Sequence, residues 1–465
     1  MRRAFTVCLS LLPIIACAPV KVVPEERRSP HFLPAAQHLD LGGQVFVYAD
    51  LDGDVERIST FVAELIDEIE KQDPDPDLAR IDVPKLVGML GLNPVKAIGL
   101  SSVRDGAVFR NKAVIQYPGP KQGFMRLLGD KARPFETPAW APADADLVME
   151  QDVNYKEAFS AVESMIRHVM GDEAGQVLSE LDQPIPEMHV SLRQIFDKLD
   201  TRIVLVLRVH ADRMLAVPGE SFRFPYTELA LGIDGLAFLF DDLVESFGAV
   251  PAIRVEAGEE YHSIQITTPL PGELAIYKPV LAKDKKTGRV FLASSLDLLR
   301  EFRPGPEALG STAGFLDAAK GLPVTGNGLT YVSGDFAGKV SDWIKELCKG
   351  DEDLRVVHKI AQDLLPEPGL PMASVNAVLP DGLFFASNSY TSHKTTIVFL
   401  TYLNPMLLGT MASIAIPAFV SYQTRAEAAA IEAEVPAYTA PPPPAPPASK
   451  APAPGGSEAK DADSD

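Results

Sequence analysis

Alternating carboxylates at Asp50, Asp52 and Asp54 are the first arrangement in this 465-residue chain that invites chemistry. Oxygen ligands spaced two residues apart can converge on a hard cation such as calcium. The loop after them departs from that pattern: the sixth position is Val55 where the sharp turn needs Gly, and the twelfth is Phe61 where a bidentate Glu should close the shell. The expected role of these aspartates is therefore structural, at the start of a helix. Gly334-Asp-Phe-Ala-Gly338-Lys339-Val340 has the outline of a phosphate loop but is one residue short at the first Gly, with Val in place of the magnesium-binding hydroxyl. Gly310-Ser-Thr-Ala-Gly314 has the outline of a nucleophile elbow around Thr312, without the strand that should precede it, and reads as a cap for the helix that follows. The histidines His31, His38, His168, His189, His210, His262, His358 and His393 never stand at metal-ligand spacing, and Cys348 sits in a charged helix end. The expectation is no catalytic residue, no metal and no cofactor. A hydrolase whose nucleophile and base meet only in space stays open as an alternative, because such sites leave no local pattern.

The carboxylates gain meaning from the elements around them. Gln44 to Glu70 reads as an apolar strand, a cluster of Asp, and a helix with Val55, Ile58, Val62, Leu65, Ile66 and Ile69 on one stripe. An Asp side chain can accept from the free first-turn amides of such a helix and favours the positive end of its dipole. Similar wording recurs with Asp152 ahead of Phe159, Val162 and Ile166, with Asp335 ahead of Val340, Trp343, Ile344 and Leu347, and more loosely with Asp234 ahead of 236–247. Asp52, Asp54, Asp152, Asp234 and Asp335 are thus expected to be structural helix-junction residues. Between these stretches, Ala97 to Tyr117 should fold back at Asp105-Gly106 and Met372 to Tyr390 at Pro380-Asp381-Gly382. A third pair should join Glu273–Tyr277 to Arg289–Ala293, and Arg202 to Val209 reads as a buried strand. Short helices are expected over Pro84 to Leu92 and Leu192 to Leu199. The expected fold class is α+β: repeated strand–helix–hairpin units with largely antiparallel sheets covered by helices, plus one C-terminal membrane helix. This order of elements, over roughly Gly42 to Tyr390, resembles the uncharacterised exported α+β proteins of Gram-negative bacteria, a likeness that implies periplasmic exposure and no assigned reaction.

A formal net charge of −20 without a basic stripe argues against nucleic acid as a partner. Met1-Arg2-Arg3 followed by an uncharged, mostly apolar run to Ala16 reads as a signal peptide over 1–16. Ile14-Ile15-Ala16-Cys17 resembles the lipobox of bacterial lipoproteins. That resemblance implies a diacylglycerol on Cys17, and membrane lipid as a partner, with about 0.8 kcal/mol gained per buried methylene. With Cys8 in the signal peptide and Cys17 lipidated, Cys348 has no intramolecular partner. Residues 17–42 read as a lipidated tether, 43–190 as one α+β unit and 191–392 as a second unit or units.

From Thr395 to Thr424 there are 30 consecutive residues without a formal charge, long enough to span a bilayer as a helix. Lys394, the apolar run with Pro405 and Gly409, and Ala412-Ser-Ile-Ala-Ile-Pro417-Ala-Phe-Val-Ser-Tyr resemble the N-terminal helix of type IV pilins, over 394–427. Thr395 stands where the glycine of the leader-peptidase site would fall, and Leu400 where the subunit-pairing glutamate would fall. The 425–465 tail is Pro-rich, then acidic, and is expected to be disordered. Together these readings predict a non-enzymatic envelope lipoprotein, its body on the periplasmic face of the inner membrane, or at the outer membrane if 395–424 does not span. Its expected role is binding or scaffolding, with other envelope or pilus proteins as possible partners. An accessory component of a type IV pilus or secretion system is the alternative that the pilin-like helix implies.

Overall fold

The segments richest in Val, Ile, Leu, Phe and Tyr form strands, because such side chains fit a pleated, half-buried surface. A computed structural model of the chain describes residues 24–72, 82–129, 131–185, 190–219, 222–248, 250–348 and 369–393. Its strands are β1 (Val45–Asp50), β2 (Ala97–Asp105), β3 (Val108–Gln116), β4 (Arg133–Pro134), β5 (Leu147–Asn154), β6 (Asp200–Ala216), β7 (Arg223–Ile233) and β8 (Ile253–Ala257). The remaining strands are β9 (Tyr261–Ile266), β10 (Val280–Asp284), β11 (Val290–Ala293), β12 (Thr325–Gly326), β13 (Gly328–Val332), β14 (Met372–Leu379) and β15 (Gly382–Ser389). Thirteen of them form one sheet in the order β1-β2-β3-β15-β14-β13-β5-β6-β7-β11-β10-β9-β8, while β4 pairs with β12 alone. Every pairing in the large sheet is antiparallel.

The helices are α1 (Phe32–Ala36), α2 (Asp54–Gln72), α3 (Val83–Leu90), α4 (Tyr155–Met170), α5 (Ala174–Leu181), α6 (Leu192–Lys198), α7 (Ala237–Phe247), α8 (Leu296–Arg300), α9 (Ala313–Ala318) and α10 (Phe336–Leu347). All described residues belong to one unit, 1–403.

This architecture corrects the expected fold class. The strands do not make repeated strand–helix–hairpin units: β3 pairs with β15 from the far end of the body, and β5 lies between β13 and β6. The physical reason is edge satisfaction. The 97–116 hairpin has two open edges, and alternation within a strand reveals its faces but not the partner its backbone will find. Glu273–Tyr277, expected as a strand, begins with a 3₁₀ turn over Gly272–Ile276, and the partner of β11 is β10 instead. Among the described residues no helix is long and apolar enough to cross a membrane, so the expected C-terminal membrane helix is not among the described elements. Cys17, the 395–424 run with Pro405, Gly409 and Pro417, and the 425–465 tail lie outside the described residues.

The two faces of the sheet are covered differently. On one, Val148, Val204, Val206, Leu329, Tyr331, Ala373, Val375 and Ala386 form the largest core, with Trp140, Leu309, Phe315 and Leu322 laid over it from segments that are mostly irregular. On the other, a cross-strand row runs Leu292, Leu231, Leu205, Met149 and then Thr330, Ser374, Ser387, Asn111, Ser102. Its apolar half lies in the strands from β5 to β11; its polar half runs through β13 to β2. There the Ser102 hydroxyl donates to Asn111 Oδ1 at 2.7 Å, and Asn111 Nδ2 donates to Ser389 Oγ at 3.0 Å. Gly328 in β13 opens room for Asn376 Nδ2 to reach Gln151 Oε1 at 3.1 Å, since a Cβ at 328 would lie 2.2 Å from both side chains.

One end of the largest core is closed by charge. Arg202 on β6 is 4 % exposed, Glu150 and Asp152 on β5 are 1 % and 2 % exposed, and the three form a buried ion-paired cluster. Arg202 Nε donates to Asp152 Oδ1 at 3.0 Å, and Glu150 also accepts from the amides of Glu136 and Thr137, the latter at 2.7 Å. Removing one partner of such a cluster strands the others without water. Arg202→Met is therefore expected to lower the urea-derived unfolding free energy by roughly 3–5 kcal/mol. A loss under about 1 kcal/mol, typical of an exposed pair, would contradict the buried role given to Arg202.

Candidate functional site

Each aspartate singled out by sequence has a local task, and the tasks differ. Asp54 begins α2 and pairs with Arg57 at 3.0 Å. Asp50 Oδ1 accepts the Asp52 amide at 3.0 Å, while Asp52 pairs with Lys96 and with His31 at 3.1 Å. The hydrogen bond from Lys96, then that from His31, holds the Asp52 carboxyl below the usual carboxylate range. Asp152 lies within β5 rather than at the helix cap. Asn154 caps α4 instead, its side chain accepting the Glu157 amide at 3.2 Å. Asp335 occupies the N-cap of α10 without a side-chain cap bond; Ser333 Oγ accepts the Phe336 amide at 3.2 Å. Asp234 follows β7 and receives Arg289 through both oxygens, at 2.6 and 3.0 Å.

The other motif residues are also engaged. Lys339, the lysine of the phosphate-loop-like stretch, donates to both oxygens of buried Asp146 at 2.9 and 2.8 Å. Thr312 caps α9 by accepting the Phe315 amide at 3.2 Å. Imidazole nitrogens of His31, His38, His210 and His393 meet Asp52, Gln37, Glu228 and the Lys112 carbonyl, so none of these bonds activates a hydroxyl. Tyr226, beside Glu228, has its phenol pushed up to about 12 by burial and by the neighbouring carboxylate, which keeps it protonated. Among the described residues no group of three or more His, Cys, Asp or Glu could hold a metal ion.

A concave site appears where sequence reasoning placed none. Between the segment after β3 and the turn joining β14 to β15 lies an open cleft of about 610 Å³, lined by Lys121, Arg126, Lys131, Asn154, Glu157 and Leu379 among others. Its walls are positioned by a few specific contacts. Gly91, in the left-handed conformation at the end of α3, approaches Gln122 so closely that a Cβ would lie 1.9 Å from that carbonyl oxygen. Gly123 reciprocates against the Met89 carbonyl, and this contact seats the 3₁₀ turn Gly123–Leu128 against α3. Lys121 Nζ donates to the Gly129 carbonyl at 3.0 Å. Arg126 donates through Nε to the Lys121 carbonyl at 3.0 Å and through Nη1 to Glu157 at 2.7 Å. Asn327, 2 % exposed, ties the walls together: its Nδ2 donates to the Lys131 carbonyl at 3.0 Å and its Oδ1 accepts the Val378 amide at 2.8 Å. A weak signal for this cleft was present in the sequence, since residues 119–133 carry four cations and one carboxylate in a chain whose net charge is −20.

His393 supplies a pH handle on this body. It is 3 % exposed, its Nε2 bonds to the Lys112 carbonyl at 2.8 Å, and its Nδ1 is buried without a partner among the described residues. Burial pushes the imidazole below its ordinary value, and a proton on Nδ1 would find no acceptor. The unfolded chain then takes up a proton at higher pH than the folded one, so the contribution is intact above about 6.5 and declines as pH falls below it. Urea midpoints should drop more between neutral and mildly acidic pH in wild type than in His393→Gln; equal drops would contradict the assignment.

Comparison of the chain with protein-family models, with curated proteins and with solved structures yields no match.

Proposed function

We propose that the chain is an exported envelope lipoprotein, held by a lipid on Cys17, whose body binds a protein partner rather than transforming a substrate. The observation that carries the binding role is an apolar face of α2 left uncovered by the described residues. Val55, Val62 and Ile66 are half-buried on the side that packs with α3, whereas Ile58, Phe61, Leu65 and Ile69 are 57 %, 63 %, 49 % and 46 % exposed. Their spacing places them along one stripe of a 19-residue helix. A contiguous apolar stripe of this kind marks an interaction surface. Edge strand β1, which directly precedes α2, adds Val47, 49 % exposed.

The occupant is argued from charge. α2 carries six carboxylates against Arg57 and Lys71, and Glu64 and Glu68 border the exposed stripe. This acidic border opposes an anionic leaflet and opposes a second copy of the same helix. It favours a protein whose apolar groove is rimmed by Lys and Arg, in the helix-in-groove manner. The lipid would localise this surface, because the seven residues from Cys17 to Pro24 reach at most about 25 Å.

A photo-crosslinking residue in place of Phe61, in the full chain in cells, should label one protein at a Lys- and Arg-rimmed apolar groove. Labelling should fall severalfold in Leu65→Glu and at high salt. Adducts only to lipid or to a second copy of this chain, or labelling indifferent to Leu65→Glu, would overturn this reading.

A further inference from the structure

We propose that the cleft at the start of α4 is a binding site for a phosphate-bearing organic anion, recognised by Lys121, Arg126 and Lys131. The inference is independent of the α2 surface. It starts from an imbalance: in a chain of net charge −20, the described residues that line this cleft include three cations and one carboxylate, Glu157. The described lining residues sum to a formal +2, which a phosphate monoester dianion neutralises and a single carboxylate does not. Glu157 lies against Arg126 at 2.7 Å, and with the Nε bond to the Lys121 carbonyl this fixes the guanidinium in the cleft wall. The bond from Lys121 to the Gly129 carbonyl likewise pins an ammonium there. Lys131 is exposed, and its ammonium has no hydrogen-bond or ion-pair partner among the described residues, although its own backbone carbonyl is anchored by Asn327. The site therefore combines two positioned cations with one available to close on an anion. The amino end of the 16-residue α4, capped by Asn154, adds its positive dipole to the same wall.

Size and polarity define the rest of the bound molecule. A volume of about 610 Å³ far exceeds a bare phosphate, and Pro120, Ala132, Val378, Leu379 and Pro380 give the remaining wall an apolar character. The phosphate is thus expected to be the charged end of a larger molecule, either a phospholipid headgroup or a soluble phosphate ester. The cleft as described offers no nucleophile aligned with a base, so the inference is of binding.

The test uses the full chain in a neutral detergent, with inorganic phosphate as the probe, followed by calorimetry or phosphorus line broadening. Millimolar binding that weakens with added salt is expected, with affinity reduced at least about tenfold in the Lys121→Gln/Lys131→Gln double variant. The single variant Lys131→Glu, at an exposed position, should lose binding while keeping the wild-type urea midpoint, which separates loss of the site from loss of the fold. Displacement of phosphate by phosphatidic acid in mixed micelles, but not by glycerol phosphate, would identify the headgroup as the source; the reverse would identify a soluble ester. Undetectable phosphate binding, affinity unchanged in both variants, or failure of both competitors to displace phosphate would overturn the proposal.

Discussion

The middle of the sheet depends on the buried contact between Arg202 and the carboxylates of Glu150 and Asp152. This contact joins β5 to β6, and its members reach outward: Arg133 also donates to Asp152, at 3.1 Å, and Arg202 reaches the Pro134 carbonyl at 3.2 Å. The 131–137 segment is thereby drawn over the end of the largest core. Phe135 in that segment, and Trp140 just after it, roof the apolar face, while Lys131 at its start begins the wall of the cationic cleft. Charges this deeply placed are sustained only when every partner is present, which ties the geometry of the cleft to the integrity of the sheet.

A second constraint is the number of strands sharing one hydrogen-bonded array. Among the described strands, the edges of this 13-stranded sheet are β1 and β8, at opposite ends. β1 is followed directly by α2, whose apolar arc is wider than α3 can cover. The exposed stripe is thus a product of topology: among the described residues, a two-faced helix follows the edge strand with α3 packed on one side. The cationic cleft is also topological, since Lys121 and Leu379 meet because β3 pairs with β15, far away in sequence.

Local chemistry was legible in the sequence where it acts over short range. Asp105-Gly106 and Asp381-Gly382 stand at the turns between β2 and β3 and between β14 and β15 because their backbone demands are met within four residues. Asp52 and Asp54 do stand where β1 gives way to α2. Asp152 shows where such reading ends. An Asp ahead of a helical stripe looks like a cap, but Asn154 is better placed, and Asp152 is claimed by Arg202, fifty residues on. Lys339 illustrates the same point, as its partner Asp146 lies in the bend before β5, which no local pattern connects to it. Strand order was illegible for the same reason: alternation encodes which face is buried, and the antiparallel neighbour is chosen by edges that the sequence does not mark. The cleft residues carried only a compositional trace, a short basic stretch in an acidic chain.

The proposed lipid on Cys17 is the premise that gives the proposed α2 and cleft surfaces a location. Metabolic labelling with a palmitate analogue, comparing wild type with Cys17→Ala, tests that premise most directly. The account predicts label on the wild-type protein and none on the variant, with the variant shed from the membrane fraction. Wild-type protein that takes up no label, or a variant labelled as strongly as wild type, would contradict it.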